Sequence, residues 1–193
     1  MKRVSPGAND NASGVAVMLE VARTISDSPP DEIEISFVAF GAEEQGLWGA
    51  KVFSKRATNS LVLNLDTLGV GHLCIVEGNG IMKKKATSSS MNQAVFKAAQ
   101  LIGAELRPIW AIFASHDHIP LLSSSAGATT LTADTNEKKI FEKFLSLFGI
   151  KNAHLRRYKY IHGPEDLPDK IELVNLEMAG KLVLEFVKSV KEK

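Results

Sequence analysis

Residues 33–66 read IEISFVAFGAEEQGLWGAKVFSKRATNSLVLNLD, and two apolar runs in this stretch decide the fold. Ile33, Ile35, Phe37 and Ala39 alternate while Val38 and Phe40 fill the other face, which predicts a strand buried on both sides. A short helix is expected over 48–55. A second apolar strand, 61–65, then ends at Asp66. Strands of this kind belong to sheets covered by helices on both faces.

The flanking sequence extends the pattern. Val15, Met18, Leu19, Ala22 and Ile25 recur at helical spacing, with Asn11 or Ser13 as the expected cap and Pro29-Pro30 beyond the end. Strands are predicted over 73–76, 109–113 and 128–131. Helices are predicted over 88–103, over 137–148 with Phe141, Phe144 and Phe148 on one face, and at the C-terminus through Leu176, Ala179, Leu182, Val183, Phe186 and Val190. Alternating strands and helices indicate an α/β fold, a mostly parallel mixed sheet sandwiched by helices. Such sheets present ligands at the carboxyl ends of their strands. Glu43-Glu44 and Asp66 both fall just after predicted strands.

Composition narrows the function classes. The chain has 193 residues, 45% apolar and 23% charged, which suits one soluble domain with a substantial core. With 23 basic and 22 acidic residues it carries a net charge of +1, so nothing favours nucleic acid or an anionic membrane as partner. A single cysteine, Cys74, excludes an internal disulfide framework and a cysteine-based zinc site. No apolar run is long enough to span a bilayer, and no apolar stretch follows the basic start to make a signal peptide.

Four short segments carry the chemistry. Alone, GANDNASG over 7–14 is a polar turn and helix cap, Glu43-Glu44 a solvated acidic pair, Asp66 a turn former and His162 a loop histidine. Together they place several carboxylates and one imidazole at the ends of buried elements, a donor set that suits zinc. A cation would offset the like-charge crowding and leave one carboxylate free to act as a base toward water.

SPGANDNASG (5–14), AFGAEEQGLWGAKVF (39–53), LNLDTLG (63–69), SHDHIP (115–120) and YIHGPEDLPDKI (160–171) occur in this order. The series resembles the co-catalytic zinc aminopeptidases, metallopeptidase family twenty-eight, which also holds glutaminyl cyclases. The resemblance implies the zinc-exopeptidase fold and a peptide substrate. It implies that Asp10 bridges two metals, Glu44 and His162 complete one site, Asp66 belongs to the other, and Glu43 is the general base. Asp117 and His118 would line the substrate side of the cleft.

The chain departs from that pattern in two places. A His-x-Asp pair that precedes SPGANDNASG in the family, and supplies an imidazole to the Asp66 metal, does not occur in residues 1–4. The expectation is therefore one domain over 1–193, incomplete at its N-terminus, with at most one tightly bound zinc. A fragment of a longer protein and a truncated homologue acting in binding or assembly both fit. Substitution by His72, His116, His118 or His154 is disfavoured, since the family's strand order brings none of them to Asp66. A one-zinc, glutaminyl-cyclase-like enzyme is a third reading. The second departure is an inserted helical segment over 136–159. Absent opening strands would also leave a sheet edge uncovered, which implies either a homo-oligomer through that edge or cover from the helix around Phe141, Phe144 and Phe148.

Overall fold

A computed structural model describes residues 4–31, 33–80, 84–112, 114–135, 153–155 and 161–191. Four helices and six strands organise the described residues. The helices are α1 (Ser13–Asp27), α2 (Trp48–Phe53), α3 (Ser89–Leu101) and α4 (Leu173–Lys191). The strands are β1 (Leu61–Asp66), β2 (His72–Asn79), β3 (Lys85–Ala86), β4 (Arg107–Ile112), β5 (Gly127–Asp134) and β6 (Ala153–Leu155). They form one mixed sheet in the order β1-β5-β2-β4-β6, with β3 paired to β2. Pairings β1/β5, β2/β4 and β4/β6 are parallel; β2/β5 and β2/β3 are antiparallel.

The period of two along β2 divides the core between the two faces of the sheet. Leu73 and Ile75 join Leu131 and Ala133 of β5 under α1, α3 and α4, where Val17, Val21, Met91, Val95, Ala98, Leu182 and Phe186 pack. Cys74 and Val76 point the other way, with Ile109 and Ala111. Farther along that face Ala57, Leu121 and Ala128 pack with Phe40, Phe53 and Val62. Every residue of β5 is buried, as its central place requires. Leu182 has no exposed surface. Leu182→Ala should therefore lower stability by about 2–5 kcal/mol, the cost of lost transfer energy plus a cavity, read as a shift in urea midpoint. A change under about 0.5 kcal/mol would show that α4 is not docked as described.

One expected strand does not form. Residues 33–40 lie outside any strand and are partly exposed rather than buried on both sides, with Phe37 at 39%. Alternation records which side chains favour burial, whereas a strand also requires a hydrogen-bonding neighbour. Among the described residues β1 ends the sheet on that side, and its Leu61 is 48% exposed. Of the expected insertion, the helix over 137–148 lies outside the described residues. Residues 153–155, within the expected insertion, form a strand that pairs with β4.

Candidate metal centre

The turn ahead of α1 is fixed to the end of β1 by its own polar side chains. Asn9 Oδ1 accepts from Gly69 N–H at 2.8 Å, and Asn11 Oδ1 accepts from Thr67 N–H at 3.0 Å. Asn11 Nδ2 donates to the Leu65 carbonyl at 2.8 Å, and Ser13 Oγ accepts from Leu68 N–H at 2.9 Å. Asn11 Oδ1 also receives Gly14 N–H at 3.1 Å, so it serves the helix start as well as the seam. The seam is too close for a side chain at Gly14, where a Cβ would lie 2.6 Å from the Leu65 carbonyl oxygen. The Asx and Ser residues of GANDNASG thus seat the turn carrying Asp10 against the loop that follows Asp66.

A third segment locks the same turn from the C-terminal side. Asp166, 1% exposed, accepts Asn9 N–H at 2.7 Å and Asp10 N–H at 3.2 Å through its two carboxylate oxygens. Its own carbonyl accepts Ala8 N–H at 3.2 Å. Four residues earlier in the chain, His162 reaches Asp10 Oδ2 at 3.0 Å and Glu44 Oε1 at 2.6 Å through Nε2. Asp166 was not singled out from the sequence, although it sits in the HGPED stretch beside His162. Asp166→Ala would leave one buried donor, Asn9 N–H, and one part-buried donor, Asp10 N–H, without their acceptor, the buried one at about 1–3 kcal/mol. Denaturant unfolding should show a loss of at least that size, with Asp166→Asn recovering part of it. An unchanged midpoint in both variants would remove the clamp.

Asp10, Glu44 and His162 therefore converge, with one ligand atom from each within 4.8 Å of the others. Imidazole plus two carboxylates is a donor set that fits zinc, and three protein ligands are the number that catalytic zinc sites use. Glu43 stands beside them, half-buried. Burial first, and then the carboxylates of Asp66, Glu44, Asp117 and Asp10, push its carboxyl up to about 8. Burial and Asp66 likewise raise Asp117 to about 6. Five carboxylates thus share one region, an arrangement that a cation would relieve.

The backbone is held in unusual shapes here. Ala42, Thr67 and His162 have φ of 57°, 54° and 60°. Left-handed conformations are uncommon away from glycine, and each of these residues is, or directly adjoins, a member of the carboxylate–imidazole group.

The 115–118 loop differs most from expectation. His116 Nδ1 contacts Asp66 Oδ2, and the two residues are 1% and 7% exposed. A histidine does reach Asp66, against the reasoning from strand order, because the loop after β4 returns over the end of β1. The extra histidine of SHDHIP was the available signal. His118 is wholly buried. Its Nδ1 bonds Thr130 Oγ1 at 2.5 Å, and burial lowers it to about 3, keeping the ring neutral.

A mixed sheet covered by helices, with carboxylates and imidazoles gathered at strand ends, defines an α/β metallohydrolase-type domain. More particularly, the chain belongs to Peptidase family M28, whose sequence pattern matches residues 1–187. It is 29% identical to the aminopeptidase YwaD of Bacillus subtilis over 192 residues, 93% of this chain and 36% of that protein. The structure of BSAP, a zinc aminopeptidase from Bacillus subtilis, superposes with a TM-score of 0.74 at 29% identity, covering 96% of this chain and 43% of BSAP. A glutaminyl cyclase from Porphyromonas gingivalis shares the fold, with a TM-score of 0.63 at 16% identity over 97% of this chain and 67% of that one. The chain spans less than half the length of these two Bacillus proteins. No helix among the described residues is long and apolar enough to cross a membrane.

Proposed function

We propose that this chain carries the catalytic centre of a zinc-dependent aminopeptidase that removes N-terminal residues from peptides. The observation that carries the reading is the convergence of Asp10, Glu44 and His162 with Glu43 beside them. Asp10, Glu44 and His162 would hold the ion. When bound, zinc supplies Lewis-acid polarisation of the scissile carbonyl. Glu43 takes a proton from the attacking water and returns it to the leaving amine. Glu43 is suited to this because it neighbours the ligand set without contributing to the His162 contacts. The substrate's free α-amino group is cationic, and the crowded carboxylates attract it, which confines cleavage to the chain end.

The test is hydrolysis of a leucine-type chromogenic amide by the zinc-loaded protein, with and without chelator. Chelator-sensitive release is expected. Zinc binding without release, combined with cyclisation of N-terminal glutaminyl peptides and loss of ammonia, would overturn it in favour of the cyclase reading. Absence of both zinc binding and turnover would favour a remnant acting in binding or assembly.

A further inference from the structure

The loop that carries Glu43 and Glu44 leads into a cation that the protein does not pair. Gly46 and Leu47 N–H both donate to the Glu43 carbonyl, at 2.9 and 2.8 Å. Trp48 N–H donates to the Ala42 carbonyl and Gly49 N–H to that of Gly41, each at 3.1 Å. The loop is thus closed on itself, and the start of α2 is fixed relative to Glu44. There Lys51 Nζ rests 4.8 Å from the centre of the Trp48 ring. Both side chains stand over Gly46, where a Cβ would lie 3.9 Å from Lys51 Nζ and 3.9 Å from Trp48 Nε1. Gly46 has φ of 116°, a backbone shape that favours glycine, so no side chain of its own fills the space beneath the two donors.

A cation–π contact that served α2 alone would need no open face. Trp48 is 57% exposed, and Lys51 makes no ion pair among the described residues although two carboxylates lie on the adjoining loop. An indole N–H and an ammonium that share one point of approach match a carboxylate, which accepts from both. Their place relative to the metal centre is also bounded. Gly46 follows Glu44 by two residues, which keeps the donors within ~13 Å of the Glu44 backbone. An extended peptide advances ~3.3–3.6 Å per residue, so a chain of two or three residues with its α-amino group at the carboxylate cluster spans that distance. The charge changes sign over the same interval, from Glu43-Glu44 to Lys51, and so complements a substrate that is positive at one end and negative at the other.

We propose that Trp48 and Lys51 form a carboxylate-binding subsite that selects short peptides carrying a negative charge beyond the residue removed. Lys51 supplies the charge and Trp48 Nε1 a second donor. The carboxylate comes from the free C-terminus of a di- or tripeptide or from an acidic side chain next to the scissile bond. This inference rests on the aminopeptidase reading proposed above and names the substrate class of that site.

The test compares kcat/KM of the zinc-loaded full chain for leucyl-glycyl-glycine and its C-terminal amide, and for leucyl-glutamyl-glycinamide and leucyl-glutaminyl-glycinamide. The charged member of at least one pair should be favoured about three- to tenfold, and the pair that shows it identifies the source of the carboxylate. The preference should shrink as salt is raised. Lys51→Gln should bring the ratio near one, and Lys51→Arg should keep it. A second measurement needs no turnover. The chain has two tryptophans, and Trp110 Nε1 is already held by the Gly80 carbonyl at 2.7 Å. On titration with N-acetyl-triglycine the indole N–H signal of Trp48 should shift while that of Trp110 stays, and the amide of the same peptide should move neither. Equal rates within both pairs, a preference that survives Lys51→Gln, or a Trp48 signal indifferent to the acid would each overturn the subsite and leave the aminopeptidase reading standing. No cleavage of any of the four peptides would overturn that reading and the selection with it.

Discussion

Glu43→Gln should lower kcat for a leucine-type amide by about 10²–10⁴-fold, the usual worth of a positioned general base. Zinc content should be unchanged. The amide has the shape of the carboxylate, so the half-buried site keeps its packing, but it cannot accept a proton. The surroundings make Glu43 suitable for this part. Burial and four neighbouring carboxylates favour its protonated form, so the proton it accepts from water is held until the leaving amine takes it. A zinc ion held by Asp10, Glu44 and His162 would act in the opposite direction and keep the resting carboxylate available at neutral pH. Steady-state kinetics and elemental analysis on the same preparation check both halves. A wild-type rate would remove the assignment. Loss of zinc along with rate would mean that Glu43, not Glu44, is the ligand.

The elements legible from sequence are those whose burial is dictated locally. Along α3 the apolar set Met91, Val95 and Ala98 meets the sheet because helical period alone places those residues on one face. The run 61–65 formed β1 because β5 lies parallel beside it. Residues 33–40 show the same alternation but form no strand, since no local pattern specifies a neighbour. The antiparallel pairing of β2 with β5 was equally invisible, because it depends on the order in which crossovers return to the sheet.

Within the centre, the legible residues were those carried in long, distinctive motifs. Asp10, Glu44 and His162 come from three such segments, and the structure brings them together. His116 was disfavoured, and Asp166 not singled out, for a shared reason. His116 meets Asp66 across 50 residues of sequence, and Asp166 meets Asn9 across 157. Each looks like an ordinary loop residue until a backbone donor or a second carboxylate is placed opposite it. Polar residues in GANDNASG, by contrast, were read as capping groups, and Asn11 does accept from the first turn of α1. Its second acceptance, from Thr67, depends on where β1 ends and so could not be read from the turn itself.

His162→Gly should separate function from stability by moving them in opposite directions. The ring of His162 supplies the sole imidazole of the Asp10–Glu44–His162 cluster, at 3.0 and 2.6 Å from its partners. Removing it leaves two carboxylates, a donor pair that suits hard ions better than zinc. Even changes to groups behind a ligand cost about 10–100-fold in metal affinity, so loss of the ligand itself should exceed ~100-fold at this site. Aminopeptidase turnover should fall with it. The fold has no comparable dependence on the ring, whose side chain is 59% exposed. Its backbone φ of 60° is a conformation that glycine adopts freely and histidine does not. The metal-free variant should therefore be as stable as wild type, or more stable by up to ~1 kcal/mol. Urea unfolding in the presence of chelator measures the second effect, and zinc titration the first. A variant that unfolds easily without metal would mean that His162 holds the HGPED turn in place. A variant that keeps wild-type zinc affinity would dismantle the centre described here.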